Sequence, residues 1–114
     1  WQPVYLHAWA HYISKFVTAY TANGVKIWSI SPQNEPRMNF APWESCCYYV
    51  DSMAEFIAGY LGPVMKAEHP GVGIYTLDDN KELLYKNTSY ARWAEMFNSI
   101  AAPYLTGISV HWYS

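Results

Sequence analysis

The sequence predicts an α/β fold built on a parallel sheet, and three observations carry that prediction. Helical and extended patterns alternate along the chain, helix then strand, three times over. The first extended segment is a near-continuous apolar run, the mark of a strand buried on both faces. Each cluster of polar, chemistry-bearing side chains follows a strand, the end at which α/β folds carry their sites.

The elements follow in order. Residues 7 to 22 read as an amphipathic helix, with Trp9, Tyr12, Ile13, Phe16, Val17 and Tyr20 recurring at spacings of three and four on one face. Asn23-Gly24 supplies a left-handed stop. Val25 to Ile30 reads as the first strand, through Val25, Ile27, Trp28 and Ile30, and Pro32 and Pro36 close it. The stretch from Arg37 to about Tyr49 is long for a connection inside an α/β unit, which marks it as functional or mobile.

A second helix presents Met53, Phe56, Ile57, Tyr60, Leu61 and Val64 on one face, with Ser52 and Glu55 spaced as a capping box. Gly62-Pro63 predicts a kink within it. After the break at His69-Pro70-Gly71, Val72 to Leu77 reads as the second strand. Residues 90 to 101 predict a third helix aligning Tyr90, Trp93, Ala94, Phe97 and Ile100. Pro103 ends it, and Gly107 to Tyr113 reads as the third strand. Three strands and three helices fit either a small α/β layer or a slice of a larger fold. The chain opens in mid-segment at Trp1-Gln2-Pro3 and stops at Ser114 directly after a strand, which favours the slice.

Composition narrows the function classes. The chain has 114 residues, enough for one domain at most, and a formal net charge of −2. That balance excludes the basic patch of a nucleic-acid binder, and no apolar run is long enough to span a membrane. Charged residues are 14% of the chain, against roughly 25% in an average soluble domain, whereas aromatics reach 18%. Rings that both stack and hydrogen-bond suit ligands rich in hydroxyls, although an aromatic-rich core explains the surplus equally simply. Adjacent Cys46 and Cys47 are poor partners for each other, because the bond would be strained. They are expected as buried thiols. No metal site is expected, since neither a CxxC pair nor a His cluster is present.

Three polar clusters remain: Ser31-Pro32-Gln33-Asn34-Glu35-Pro36, Asp78-Asp79-Asn80 and His111-Trp112-Tyr113. Pro36 biases Glu35 toward an extended backbone. Strand alternation places His111 and Tyr113 on one face and Trp112 on the other.

These residues also carry a resemblance. Asn34-Glu35-Pro36 after Ile27-Trp28-Ser29-Ile30, with Trp9-Ala10-x-Tyr12, Lys15-Phe16, Leu61-Gly62-Pro63, Leu77-Asp78-Asp79-Asn80 and Val110-His111-Trp112-Tyr113, resembles glycoside hydrolase family 30. Within it the chain is similar to the glucosylceramidase-like enzymes (acid β-glucosidases). Trp43-Glu44-Ser45-Cys46, followed by the Phe56-to-Pro63 run, is similar to bacterial members. One departure is the residue near Tyr49, where relatives tend to carry a Thr helix cap. The resemblance implies a (β/α)8 TIM barrel of ~250 residues plus a small β-domain. Residues 1–114 would then be the central fragment of one catalytic barrel domain, from about the third helix to the sixth strand.

It further implies a retaining β-glycosidase that hydrolyses a β-glucosyl linkage by double displacement, without metal or organic cofactor. Glucosylceramide, a lipid presented at a membrane surface, is the foremost substrate. A β-xylosidase or endo-β-glycanase of the same family is the alternative, and a non-catalytic, truncated carbohydrate-binding protein is a rival of another class. Glu35 matches the general acid/base and Asn34 the residue that hydrogen-bonds the sugar 2-hydroxyl. His111 and Tyr113 match positions lining the catalytic floor. Asp78 and Asn80 either orient site residues or, as aspartates at strand tips often do, cap the following helix. Trp43 reads as a loop anchor or a sugar platform, and Trp112 as barrel packing. The family nucleophile, a Glu at the tip of the seventh strand, would lie beyond Ser114; Glu44, Glu55, Glu68, Glu82 and Glu95 sit in loop or helices. The isolated chain is therefore expected to be inactive. Asn87-Thr88-Ser89 fits an N-glycosylation triplet, and the resemblance points to a secreted or lysosomal location.

Overall fold

A computed structural model of the chain describes residues 2–38, 42–87 and 91–113. Helix α1 spans Pro3–Ala22, longer at its start than the periodicity predicts because Pro3 presets the first turn. It stops where Asn23 donates its side-chain amide to the Ala19 carbonyl at 2.8 Å and Gly24 takes a left-handed φ of 83°. The buried stripe of α1 is Leu6, Ala10, Ile13, Ser14 and Val17. This corrects the sequence expectation: Trp9, Tyr12, Phe16 and Tyr20 lie on the exposed side. They pair with each other instead, Trp9 with Tyr12 at 5.2 Å and Phe16 with Tyr20 at 4.3 Å between ring centroids. Small residues face inward because the neighbouring helix comes close. Ser14 Oγ donates to the Glu68 carboxylate and lies 2.9 Å from His69 Nε2, clamping α1 to the end of that helix.

That neighbour is one long helix in three parts: α2 over Val50–Phe56, a π turn over Ile57–Leu61, and α3 over Gly62–Glu68. Its N-cap is Tyr49, one turn before the expected Ser52; Ser52 is the third helical residue and its hydroxyl accepts the Tyr49 N–H at 2.9 Å. The kink expected at Gly62-Pro63 is replaced by the π turn. Pro63 has no N–H to donate and its ring would crowd the preceding turn, so the helix widens just before it. The predicted apolar face is otherwise met, with Met53, Phe56, Ile57 and Leu61 fully buried. Gly62 is the close-approach point. A Cβ there would meet the Tyr104 ring and sit 2.7 Å from the Ile57 carbonyl oxygen. Gly62→Ala is expected to destabilise by about 1–3 kcal/mol, read as a lowered denaturation midpoint.

Strands β1 (Ser29–Ile30), β2 (Gly73–Asn80) and β3 (Gly107–His111) form one parallel sheet in the order β1-β2-β3. The alternation and parallel pairing agree with the sequence, and two details do not. β1 has only two paired residues, and Val25 and Trp28, which precede it, are exposed rather than buried. β2 continues through Asp78, Asp79 and Asn80, which the sequence places beyond its end.

The predicted third helix is not α-helical. Short 3-10 turns span Trp93–Asn98 and Ala102–Tyr104, and another spans Lys81–Leu84. With three residues per turn, Trp93 and Met96 share the buried side, whereas Ala94, Phe97 and Ile100 are exposed. Tyr90, Thr88 and Ser89 lie outside the described residues; Asn87 is exposed. Cys46 and Cys47 are free and only half-buried, and burial pushes both thiols above the usual cysteine range.

Candidate active site

The chain leaves β1 and reaches Glu35 through a turn that is tied to the tip of β2. The Glu35 N–H donates to the Asp78 carbonyl at 2.9 Å. Behind it, the Met38 N–H donates to the Glu35 carbonyl at 2.9 Å and the Tyr48 N–H to the Pro36 carbonyl at 2.8 Å. These bonds hold Glu35 at a φ of 46°, so the extended backbone expected before Pro36 is not adopted. A non-glycine residue held in the left-handed region stores strain, and the surrounding bonds must overdetermine it.

The tip of β2 is irregular in a matching way. Leu77 pairs with Ser109 and Asp79 with Val110, which leaves Asp78 as an extra residue in a bulge, with φ of 74° at Leu77 and 51° at Asp78. Bulges re-aim side chains. Here the Asp78 carboxylate reaches toward the site and Asp79 turns into the interior, with no exposed surface.

Four of the residues singled out from the sequence meet at this point. Tyr113 donates its hydroxyl to Glu35 Oε1 at 2.9 Å, and His111 Nδ1 lies 3.4 Å from the same oxygen. On its other side His111 Nε2 is 3.5 Å from Asp78 Oδ1, so the imidazole stands between two carboxylates. His111 Nδ1 is buried and makes no hydrogen bond among the described residues. The His111 and Tyr113 rings meet edge to face at 5.1 Å, which agrees with their sharing one side of the strand line. Trp112, on the other side, is 91% exposed, and its ring meets Tyr113 edge to face at 5.6 Å. Asn34 is exposed next to Glu35, and its carbonyl accepts the Gln33 side-chain amide at 2.9 Å. Trp43 is 59% exposed in the loop and is not one of the groups that meet at Glu35.

Hydrogen bonding to Glu35, followed by burial and the nearby carboxylates, holds the Tyr113 hydroxyl above the usual tyrosine range. A raised phenol stabilises the fold fully below the unfolded value of ~10 and loses that contribution as pH rises through the folded value. Tyr113→Phe and the parent are therefore expected to differ in thermal midpoint near pH 7 and to converge well above pH ~10.

Two residues of the site were not singled out from the sequence. Arg37 Nε donates to both oxygens of Asp79, at 3.2 and 3.1 Å, and the Asn80 N–H donates to Asp79 Oδ1 at 2.7 Å. A signal existed. Arg37 is the only cation between Lys26 and Lys66, two residues after Glu35, and one of two adjacent aspartates on a strand must turn inward.

Comparison with known proteins decides the family. A model described as the glycosyl hydrolase family 30 TIM-barrel domain matches residues 1–114. The chain belongs to glycosyl hydrolase family 30. Among its family 30 relatives, lysosomal acid glucosylceramidase of Mus musculus is 33% identical over 115 residues, covering 96% of this chain and 21% of the relative. The solved structure of the endo-β1,6-glucanase BT3312 superposes with a TM-score of 0.86 at 31% identity, covering 98% of this chain and 24% of that one. SrfJ of Salmonella typhimurium gives a TM-score of 0.81 at 27% identity, over 97% and 24% of the two chains. The family 30 chain thus spans about a fifth of the curated relative it matches. Its parallel sheet is part of a TIM barrel, and the Glu35 cluster occupies the C-terminal ends of the strands, the face on which such barrels build their sites. Among the described residues, no helix is long and apolar enough to cross a membrane.

Proposed function

We propose that residues 1–114 form the acid/base half of the active site of a retaining β-glycosidase, within one catalytic barrel domain. The observation that carries this is the convergence of Tyr113, His111 and Asp78 around Glu35 at the strand tips. In double displacement one carboxyl protonates the departing glycosidic oxygen while another attacks the anomeric carbon. The acid then returns as a base and takes a proton from the incoming water.

Glu35 has the position for the first role. Its backbone is fixed by the Asp78 carbonyl, and its Oε1 is oriented by the Tyr113 hydroxyl, which leaves the other carboxyl oxygen for the substrate. His111 supports the carboxylate from the side, with Asp78 behind it. Asn34, exposed next to Glu35, is assigned to the sugar 2-hydroxyl, a contact that strengthens in the transition state. Trp43 is retained as a candidate sugar platform, since its ring is exposed in the loop.

The nucleophile is assigned to a Glu outside this chain. Glu68 is engaged by Ser14, Glu82 by Lys86 at 2.6 Å and Glu95 by Arg92 at 2.7 Å, and Glu44 and Glu55 are exposed. The 114-residue chain by itself is expected to leave aryl β-glucosides unhydrolysed. Turnover by the purified chain that disappears in Glu35→Gln would overturn this.

The substrate we favour is a β-glucosyl linkage, glucosylceramide foremost, on the strength of the 33% identity to an enzyme named a lysosomal acid glucosylceramidase; a secreted or lysosomal location goes with it. Likeness to an endo-β1,6-glucanase supports the second reading, a β-glycanase. Parallel assays of the full-length protein on glucosylceramide in mixed micelles and on a β1,6-glucan separate the two. Release of ceramide without oligosaccharide products supports the first, and the reverse supports the second.

A further inference from the structure

We propose that Arg37 and Asp79 are a positioning pair for Glu35, acting through the backbone rather than on substrate. The inference rests on the reading of Glu35 as the general acid/base.

Asp79 is wholly buried, and a buried carboxylate is tolerated only when it is paired and its remaining lone pairs are filled. The single Nε–H of Arg37 is shared between both oxygens, and the Asn80 amide donates to Oδ1 as well. The two partners come from the two segments that make the site. Arg37 follows Glu35-Pro36 in the loop after β1, and Asp79 follows Asp78 in the bulge of β2. The Asp78 carbonyl is the acceptor for the Glu35 amide, and the Asp78 carboxylate faces His111. One ion pair therefore bolts together two strained backbones, with φ of 46° at Glu35 and 51° at Asp78.

Without the pair, an unpartnered charge is left inside the sheet tip. The bulge then relaxes to hydrate Asp79, which moves the carbonyl that holds Glu35. The Arg37 side chain reaches this site with its Nε–H bridging both carboxylate oxygens while a third of the side chain stays in water.

A displaced general acid has a signature that simple destabilisation lacks: the loss depends on how much help the leaving group needs. The test compares 2,4-dinitrophenyl β-glucoside, which departs unaided, with phenyl β-glucoside, which needs a proton. The full-length protein and its Arg37→Ala, Arg37→Lys, Asp79→Asn and Glu35→Gln variants are assayed on both, with thermal midpoints recorded alongside. Arg37→Ala and Asp79→Asn are expected to lose kcat/KM on the phenyl substrate by on the order of 10–100-fold more than on the dinitrophenyl substrate. Arg37→Lys falls between them and the parent.

Equal losses on the two substrates, or losses that follow only the thermal midpoint, overturn the positioning role. If Arg37→Ala does not fold, the isosteric Asp79→Asn and the charge-keeping Arg37→Lys give the same discrimination. Glu35→Gln separates the two levels. If it shows no dependence on leaving group, the acid/base reading itself fails. If it shows that dependence and the Arg37 and Asp79 variants do not, only the positioning inference fails.

Discussion

Glu35→Gln in the full-length enzyme is expected to lower kcat/KM on unactivated β-glycosides by roughly 10²–10⁴-fold, the usual contribution of a positioned acid/base. The amide keeps the shape of the side chain and a hydrogen bond with the Tyr113 hydroxyl, which sits 2.9 Å from Oε1 in the parent. It cannot hand over a proton. The loss should therefore fall on steps that move one, while the thermal midpoint changes little, because Glu35 is partly exposed and its backbone ties do not involve the carboxyl. A large drop in stability together with full activity per folded molecule would contradict this assignment. Activity is read with phenyl and alkyl β-glycosides, and stability by thermal unfolding.

Phe56→Ala carries the largest expected effect on stability, about 3–5 kcal/mol, as for other large buried aromatics cut to Ala. Phe56 has no exposed surface and stands where α2 passes into the π turn. Its ring lies 5.9 Å from that of Tyr48, whose N–H holds the Pro36 carbonyl just behind Glu35. The cavity would thus open beneath the loop that carries the site. Phe97→Ala is the contrast. Phe97 is 50% exposed, and its loss should change stability by no more than ~0.5 kcal/mol. Periodicity alone places both residues on buried faces, so the pair of variants tests the observed packing against the pattern.

The alternation of helix and strand and the location of the polar clusters were legible in the sequence, because periodicity and strand-end chemistry are local properties. So was the grouping of Glu35, His111, Tyr113 and Asp78, since each lies at or just beyond the C-terminal end of a strand of the same parallel sheet. What the sequence misread depends on neighbours. On α1 the largest rings form the most regular stripe, yet Ala10 and Ser14 face inward because α3 comes close and Ser14 reaches Glu68. A barrel helix has neighbours on both sides, and the aromatic stripe does not face the one described here. The segment after Tyr90 has helical spacing, but its turns tighten to 3-10 and expose Phe97 and Ile100.

The bulge at Leu77–Asp79 and the left-handed Glu35 were invisible for a different reason. Proline statistics favour an extended residue before Pro36, and the bonds around Glu35, among them the tertiary one to the Asp78 carbonyl, override that preference. The doublet by itself does not say which of Asp78 and Asp79 turns inward; the register with β3 decides it.

The most direct test of Glu35 as the acid/base is rescue by azide in Glu35→Ala of the full-length enzyme, with an activated aryl β-glycoside as substrate. Removal of the carboxyl leaves room beside the glycosyl-enzyme for a small anion that needs no base. Azide is expected to restore turnover, with the β-glycosyl azide, of retained configuration, as the product. An α-glycosyl azide would make Glu35 the nucleophile, and the absence of any azide product would remove it from the chemistry altogether.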